Sequence, residues 1–409
     1  MTRNLVIWFA GLCILAGTTF DFVVVSQIVK IRTSSINLST AEICIAAFLL
    51  IAMARSWRGF LPCLTRHRIP LILILGLWLS GVTTAFLTDQ TLASLKFSLR
   101  YLAIFLVFVS FLCLGMSGEL KIFEKMVAVW GIFLGILGLL EFLSPGAKEF
   151  LLTRFLPTRE IDARVGTVLH PNLYGAFMGL VFLLGLVSLS REKSWLSLST
   201  TSLGLVGVSI AGSRNAWLIT SICLVIYALT RRHWREFFRV AVAAFVVLGA
   251  VIALYVGGSL WSARAPILSD DRIVIWRAAL AAWRTSPLIG IGPGIFRLRL
   301  HEFVTPDKKV AFEERAGEFN AHNVFLGILV EQGLVGFWLL VTLVAWLLWR
   351  LIGDIGEIDE VLLLAAVSLP LLLDDFLYSY LYATVLAVFL ALALGEREGR
   401  DQILKRSLS

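Results

Sequence analysis

The chain has 409 residues, 58% hydrophobic and 16% charged, with a formal net charge of +8. Soluble domains carry nearer ~25% charged residues. A mean hydropathy of +0.87 therefore excludes a single soluble core and defines a polytopic integral membrane protein. Its segments are long enough for helices rather than barrel strands, so the expected fold class is all-α, with backbone groups paired inside each helix.

Apolar stretches fall at 5–29, 38–54, 69–87, 97–115, 122–143, 171–189, 195–211, 215–230, 237–257, 321–350, 360–373 and 375–394. At ~20 residues per span this predicts about 12 transmembrane helices. The stretch at 360–373 is short. The one at 321–350 is long enough to kink or break at Gly333 or Gly336. The first run follows Arg3 and has no small-residue cleavage site, so it is expected to be a retained helix rather than a signal peptide. Cys13, Cys44, Cys63, Cys113 and Cys223 have no Cys-x-x-Cys or metal spacing and read as fillers.

Lys and Arg in short loops set the orientation. One set of loops carries Arg55, Arg58, Arg66 and Arg68, then Lys121 and Lys125, Arg191 and Lys193, and Arg231, Arg232, Arg235 and Arg239. The tail adds Arg397, Arg400, Lys405 and Arg406. These alternate consistently with both termini cytoplasmic, which accounts for much of the net charge without nucleic acid. The expected organisation is helices 1–9 over residues 1–257 with an outer loop at 144–170, and a large periplasmic loop at 258–320 containing short amphipathic helices. Helices 10–12 then span 321–395, and the cytoplasmic tail is 396–409. The large loop holds nine Lys/Arg and seven Asp/Glu, so it is no basic patch.

"RVGTVLHPNLYG" places Arg164, His170, Pro171 and Asn172 at the entry to the sixth span. Pro171 suits the first helical turn, and His170 reads either as a polar end residue or as part of a site. "AGSRNAWL" puts Arg214 at the outer end of a span, with Gly212 and Ser213 suited to a turn or helix start. Arg214 either snorkels to the interface or joins helix-start amides in binding an anion.

"SDDRIVIWRAALAAWRTSP" predicts an amphipathic helix with Ser269 as N-cap, Asp270 and Asp271 in its first turn and Ser286-Pro287 ending it. Ile273, Trp276, Leu280 and Trp283 form its apolar stripe, bordered by Arg277, with Arg284 one heptad on. Either this helix lies on the membrane surface with solvated arginines, or Arg277 turns toward a lipid-linked phosphate. The same stretch carries Arg272. "LIGIGPGIF" lacks a preceding strand and a following Lys-Ser/Thr, so it reads as a turn and not a phosphate loop.

"EFNAHNVFLGILVEQG" sets His322 and Asn323 at a helix mouth and Glu331 about two and a half turns deeper. A neutral imidazole serves as a base near pH 7. An ionisable group at the depth of Glu331 is functional or pairs with another helix. "LLLDDFLYSYLY" adds Asp374 and Asp375 at another outer mouth, as interfacial caps or site residues.

"GSRNAWL", "RIVIWRAALAAWRTSPLIGIGPGIF" and "HNVFLGILVEQGLVGF", in this order and on this topology, resemble the O-antigen ligase / O-antigen polymerase superfamily. The motifs span about 160 to 395. The resemblance implies a membrane glycosyltransferase of the GT-C kind, inverting, independent of metal and without a cofactor. It implies that Arg214 and Arg277 clamp a pyrophosphate while His322 acts at the acceptor hydroxyl. Asp374 falls near the acidic position that ligases tend to carry before the last span. Asn323 would orient a sugar or phosphate and Glu331 would support the helix. Arg164, Arg272 and His170 are supporting candidates.

The implied partners are an undecaprenyl-pyrophosphate-linked glycan donor, a lipid A-core acceptor and membrane lipids, in the bacterial inner membrane with the active site facing the periplasm. A ligase ranks ahead of a polymerase and a protein oligosaccharyltransferase. A transporter ranks below all three, because the candidates cluster at the outer face and no repeat is visible.

Overall fold

In a computed structural model, the structure describes residues 8, 10–16, 23–31, 34–115, 120–144, 146, 165–167, 169–231, 270–314, 319–352, 358–372, 374, 379 and 381–392. The span expected at 237–257 lies outside them.

A short helix, α1 (residues 10–16), is followed by an antiparallel hairpin, β1 (Val23–Ile31) and β2 (Ser34–Ser39). This corrects the expectation of one apolar helix over 5–29 within an otherwise helical architecture. The run Val23–Val25, with Ile28, Val29 and Ile31, is β-branched and favours strand. Asp21, Gln27 and Lys30 also interrupt its apolar character.

The remaining described elements are helical: α2 (Thr40–Arg66), α3 (Arg68–Leu87), α4 (Thr91–Gly115) and α5 (Leu120–Leu143). Next come α6 (Pro171–Arg191), α7 (Trp195–Ile210) and α8 (Arg214–Arg231). The outer segment contributes α9 (Asp270–Thr285), α10 (Ile295–Arg299) and α11 (Pro306–Glu314). The chain re-enters the bundle through α12 (Val324–Ile352), α13 (Ile358–Ser368), a 3₁₀ turn (Leu369–Leu372) and α14 (Leu381–Leu392).

Among the described residues, Arg68–Leu87, Thr91–Leu112, Ile122–Leu143, Pro171–Arg191 and Val324–Trp349 are long and apolar enough to cross a membrane. Ile43–Ala52, Trp195–Ile210, Arg214–Leu229, Leu362–Leu372 and Leu381–Leu392 are shorter apolar helices. The chain is thus a multi-pass membrane protein.

Helix α6 is central: 83% of its spanning window is buried, against 28% for α3. It packs on α7, α8 and α13. Apolar burial is a weak drive in lipid, so close backbone approach matters. A Cβ on Gly185 would run into the backbone of Thr201, and one on Gly204 into that of Phe182. These glycines let α6 and α7 cross at near-backbone contact.

Helix α12 breaks at Gly333, whose φ of 65° and ψ of −163° leave the helical region. The break explains the glycine-rich "LIGIGPGIF". Leu334 and Val335 donate backbone bonds to Pro287 and Leu288 at 2.9 and 3.2 Å, while Ile291 and Gly292 donate to Val330 and Glu331 at 3.0 Å. The amides and carbonyls freed by the kink are therefore satisfied by the outer segment. Gly290, at φ 76°, lies so close to the Glu331–Gln332 peptide that a side chain has no room.

The outer segment has a core of its own, formed by Ile275, Ala278, Ala279, Ala282, Phe296, Leu300, Phe312 and Ala321, which reaches Val330 of α12. This corrects the expected stripe. Ile273 and Leu280 are exposed, on the same side as Arg277 and Arg284, whereas Ile275 and the three alanines face inward. Small alanines bring α9 close to the bundle, a gain that an apolarity count along the helix does not register. The proposed N-cap Ser269 lies outside the described residues.

Candidate active site

Several helices begin or end at one end of the bundle, and the chemistry-bearing residues gather there. Helix α12 starts at Val324, so His322 precedes the helix rather than opening it. Asn323 is the cap: its Oδ1 accepts from Leu326 N–H at 2.9 Å. Its Nδ2 donates to the Leu372 carbonyl at 2.9 Å, tying the mouth of α12 to the end of α13. Both ends of the amide thus have protein partners. These bonds give Asn323 a structural role at the mouth of α12.

His322 adopts φ 51°, in the left-handed region that non-glycine residues seldom occupy. This turns its ring toward Asp374, with Nδ1 to Oδ1 at 2.8 Å. Asp374 is buried, and its other oxygen, Oδ2, accepts from Asn172 Nδ2 at 3.0 Å. Burial opposes ionisation of Asp374. The hydrogen bond and charge of His322, the bond from Asn172 and the charge of His170 outweigh it and hold the carboxyl below its ordinary range. An ionised carboxylate only accepts, so His322 Nδ1 carries the proton. In the neutral ring Nε2 is then left with a lone pair.

The opening of α6 supplies the other side. His170 is its N-cap, with Nδ1 accepting from Asn172 N–H at 3.2 Å and Pro171 in the first turn. The preceding loop is held by Thr167, whose N–H donates to Glu141 Oε2 of α5 at 2.5 Å. Thr167 has φ 53°.

The turn before α8 packs against the same first turn of α6. A Cβ on Gly175 would lie 3.1 Å from those of Ala211 and Ser213. Gly212 has φ 60°, and Ser213 Oγ accepts from Ala216 N–H at 3.4 Å, so Arg214 opens α8 as the sequence suggested. Arg214 is exposed at that mouth. On the outer segment, Trp276 Nε1 donates to the carbonyl of Ala321 at 3.0 Å. This fastens α9 to the residue next to His322 and sets exposed Arg277 one residue from the fastening point.

Glu331 is buried about two and a half turns below His322 and just above the break, where its carbonyl accepts from Gly292. Arg272 is half-buried at the start of α9. Arg164 and Asp375 lie outside the described residues. Asn172, which the pattern placed at the entry to the sixth span without a role, is the unforeseen member. Its signal was the triplet His170-Pro171-Asn172, a capped helix start carrying a second amide. Among the described residues no group of three or more His, Cys, Asp or Glu is placed to hold a metal ion.

At the opposite end of α6, Arg191 forks onto buried Asp359 of α13, with Nε to Oδ2 at 3.0 Å and an Nη at 2.9 Å. The two helices that bring Asn172 and Asp374 together are thus pinned at both ends.

Fold and site together define a multi-pass membrane protein with a histidine–aspartate pair and helix-mouth arginines on the elements around it. Residues 199–341 match the family model described as O-antigen ligase. The matched stretch includes Arg214, Arg277 and His322 and stops short of Asp374. No curated protein matches the sequence.

Proposed function

We propose that this protein is an O-antigen ligase of the bacterial inner membrane. It transfers a glycan from undecaprenyl pyrophosphate to a sugar hydroxyl of lipid A-core, with the site facing the periplasm. The observation that carries the reading is the His322–Asp374 pair at the mouth of α12, inside and beside the stretch that matches the O-antigen ligase family model. The positive-inside pattern supports the outward orientation.

In this reading His322 Nε2 takes the proton of the acceptor hydroxyl as its oxygen attacks the anomeric carbon. The bond from that carbon to the pyrophosphate oxygen breaks in the same displacement, inverting the centre. Undecaprenyl pyrophosphate departs with the electron pair. Asp374 holds the imidazole by Nδ1 and stabilises the imidazolium that forms. Arg214 and Arg277 stabilise the charge growing on the leaving group, a task suited to fixed guanidinium forks.

Deletion of the gene, followed by gel analysis of lipopolysaccharide, tests the reading. Loss of all capped core supports it. Core that still carries a single repeat unit overturns it in favour of a polymerase. With purified enzyme, Arg214→Lys and Arg277→Lys keep the charge but lose the fork. Both are expected to lose most transfer while remaining folded, and wild-type rates in both would remove the clamp.

A further inference from the structure

Asp374 offers two oxygens, and the structure spends them on different helices. Oδ1 meets His322 Nδ1 at 2.8 Å, and Oδ2 meets Asn172 Nδ2 at 3.0 Å. The backbone N–H of the same Asn172 meets His170 Nδ1 at 3.2 Å. One asparagine therefore touches both the carboxylate behind His322 and the ring of the second histidine. Asp374 follows a 3₁₀ turn, its backbone N–H donating to the Pro370 carbonyl at 2.9 Å. Asn172 is on the first turn of α6, the most deeply packed spanning helix.

We propose that Asn172 is a positioning residue: it anchors Asp374 to α6 so that Oδ1 faces His322, and it draws off part of the carboxylate's charge, setting the basicity of the His322 ring. The inference rests on His322 being the acceptor-side base. A hydrogen-bond donor on Oδ2 competes with His322 for the same negative charge. With the donor present, the carboxylate's charge is shared between Asn172 and His322, and Oδ1 is held toward the ring. Without it, the undivided carboxylate favours the imidazolium, and Asp374 also gains freedom to rotate.

The charged and titratable groups on the elements around His322 are Asp374 and His170, Arg214 at the start of α8, and Arg277 and Arg272 on α9. Glu141, bonded to Thr167, and Glu331 on α12 itself also belong to the described groups nearby, with Asp270, Asp271 and Arg284 elsewhere on α9. Within this set the Asn172 side chain bonds Asp374, so a shift in the pH profile is expected to report the coupling through that carboxylate.

The test compares full-length wild type with Asn172→Ala, Asn172→Gln and His322→Ala, measuring kcat, KM for donor, melting temperature and kcat/KM against pH. For Asn172→Ala, kcat should fall about tenfold or more, the order expected for losing one hydrogen bond to a charged group. KM for donor should hold. The acid limb of the kcat/KM profile should move upward by about half a unit to one unit. Asn172→Gln, which keeps the amide, should return the limb toward wild type even if its melting temperature stays low.

A purely structural role predicts a lower melting temperature with an unmoved limb and an unchanged rate per folded molecule, and that result overturns the inference. So does a limb that moves equally in Asn172→Ala and Asn172→Gln. If His322→Ala keeps normal turnover, the base assignment fails first. If His322→Ala is inactive and Asn172→Ala is normal, only the positioning role fails.

Discussion

Helices α6 and α12 are each preceded by a histidine at the same end of the bundle, and the two histidines do opposite things. His170 caps α6 with its own ring, so its Nδ1 accepts a backbone N–H. His322 leaves the cap to Asn323 and takes a left-handed backbone conformation. Its Nδ1 is thereby free to donate to Asp374. A capping histidine holds a helix, whereas one relieved of capping is available for chemistry. The helices differ likewise: α6 is continuous and buried, and α12 breaks at Gly333 and leans on the outer segment for its lost hydrogen bonds.

The largest expected effect removes the difference at its active end. His322→Ala should lower turnover by ~10²–10⁴-fold, the usual contribution of a general base. The cap on α12 belongs to Asn323, so the melting temperature should change little. A parallel loss of melting temperature and turnover, with normal rate per folded molecule, would assign His322 to structure instead.

Next comes the break. Gly290→Val places a side chain against the Glu331–Gln332 peptide at a φ of 76°. Strain at such a position costs about 1–3 kcal/mol, before the clash is counted. Thermal unfolding in detergent should show a clear loss of stability and reduced folded yield. The same substitution at Gly146, where a Cβ meets nothing within 4 Å, is the control and should be near neutral.

Asn323→Ala sharpens the contrast between the mouths. It removes the α12 cap, worth about 1 kcal/mol, together with the tie to Leu372. Stability should fall by about 1–2 kcal/mol. Turnover should fall as well, because the loop presenting His322 loosens. Asn323→Asp keeps the capping oxygen and should restore the larger part of the stability. Equal losses in the two variants would show that the Leu372 bond, and not the cap, dominates.

The smallest effect is in pH. The folded pKa of Asp374 lies below its ordinary value. Its contribution to stability is therefore full above the unfolded carboxylate pKa of ~3.9 and is lost as pH falls through the depressed folded value. The melting-temperature gap between wild type and Asp374→Asn should be constant from neutral pH down to that range and shrink below it. A gap that grows on acidification would reverse the sign assigned to the carboxylate.

Much of this protein is legible from one-dimensional pattern. Apolar run lengths locate spanning helices such as Pro171–Arg191 and Val324–Trp349, because lipid demands internally bonded helices. Gly212-Ser213-Arg214 reads as a helix start because caps and turns are local chemistry, and the structure has that start. Gly333 marks a break because only glycine tolerates its backbone geometry. His322 and Asp374 stand out as expensive groups at helix mouths.

Other features were decided by packing. The β1–β2 hairpin replaces part of the first apolar run, since β-branched residues satisfy hydropathy in either conformation. The buried face of α9 follows its alanines because close approach outweighs side-chain apolarity there. That Asp374 reaches His322 while Asn172 reaches Asp374 joins residues separated by 52 and 202 positions. No local propensity links such distances. The packing of α6 on α13, pinned at Arg191–Asp359, brings Asn172 and Asp374 to one point.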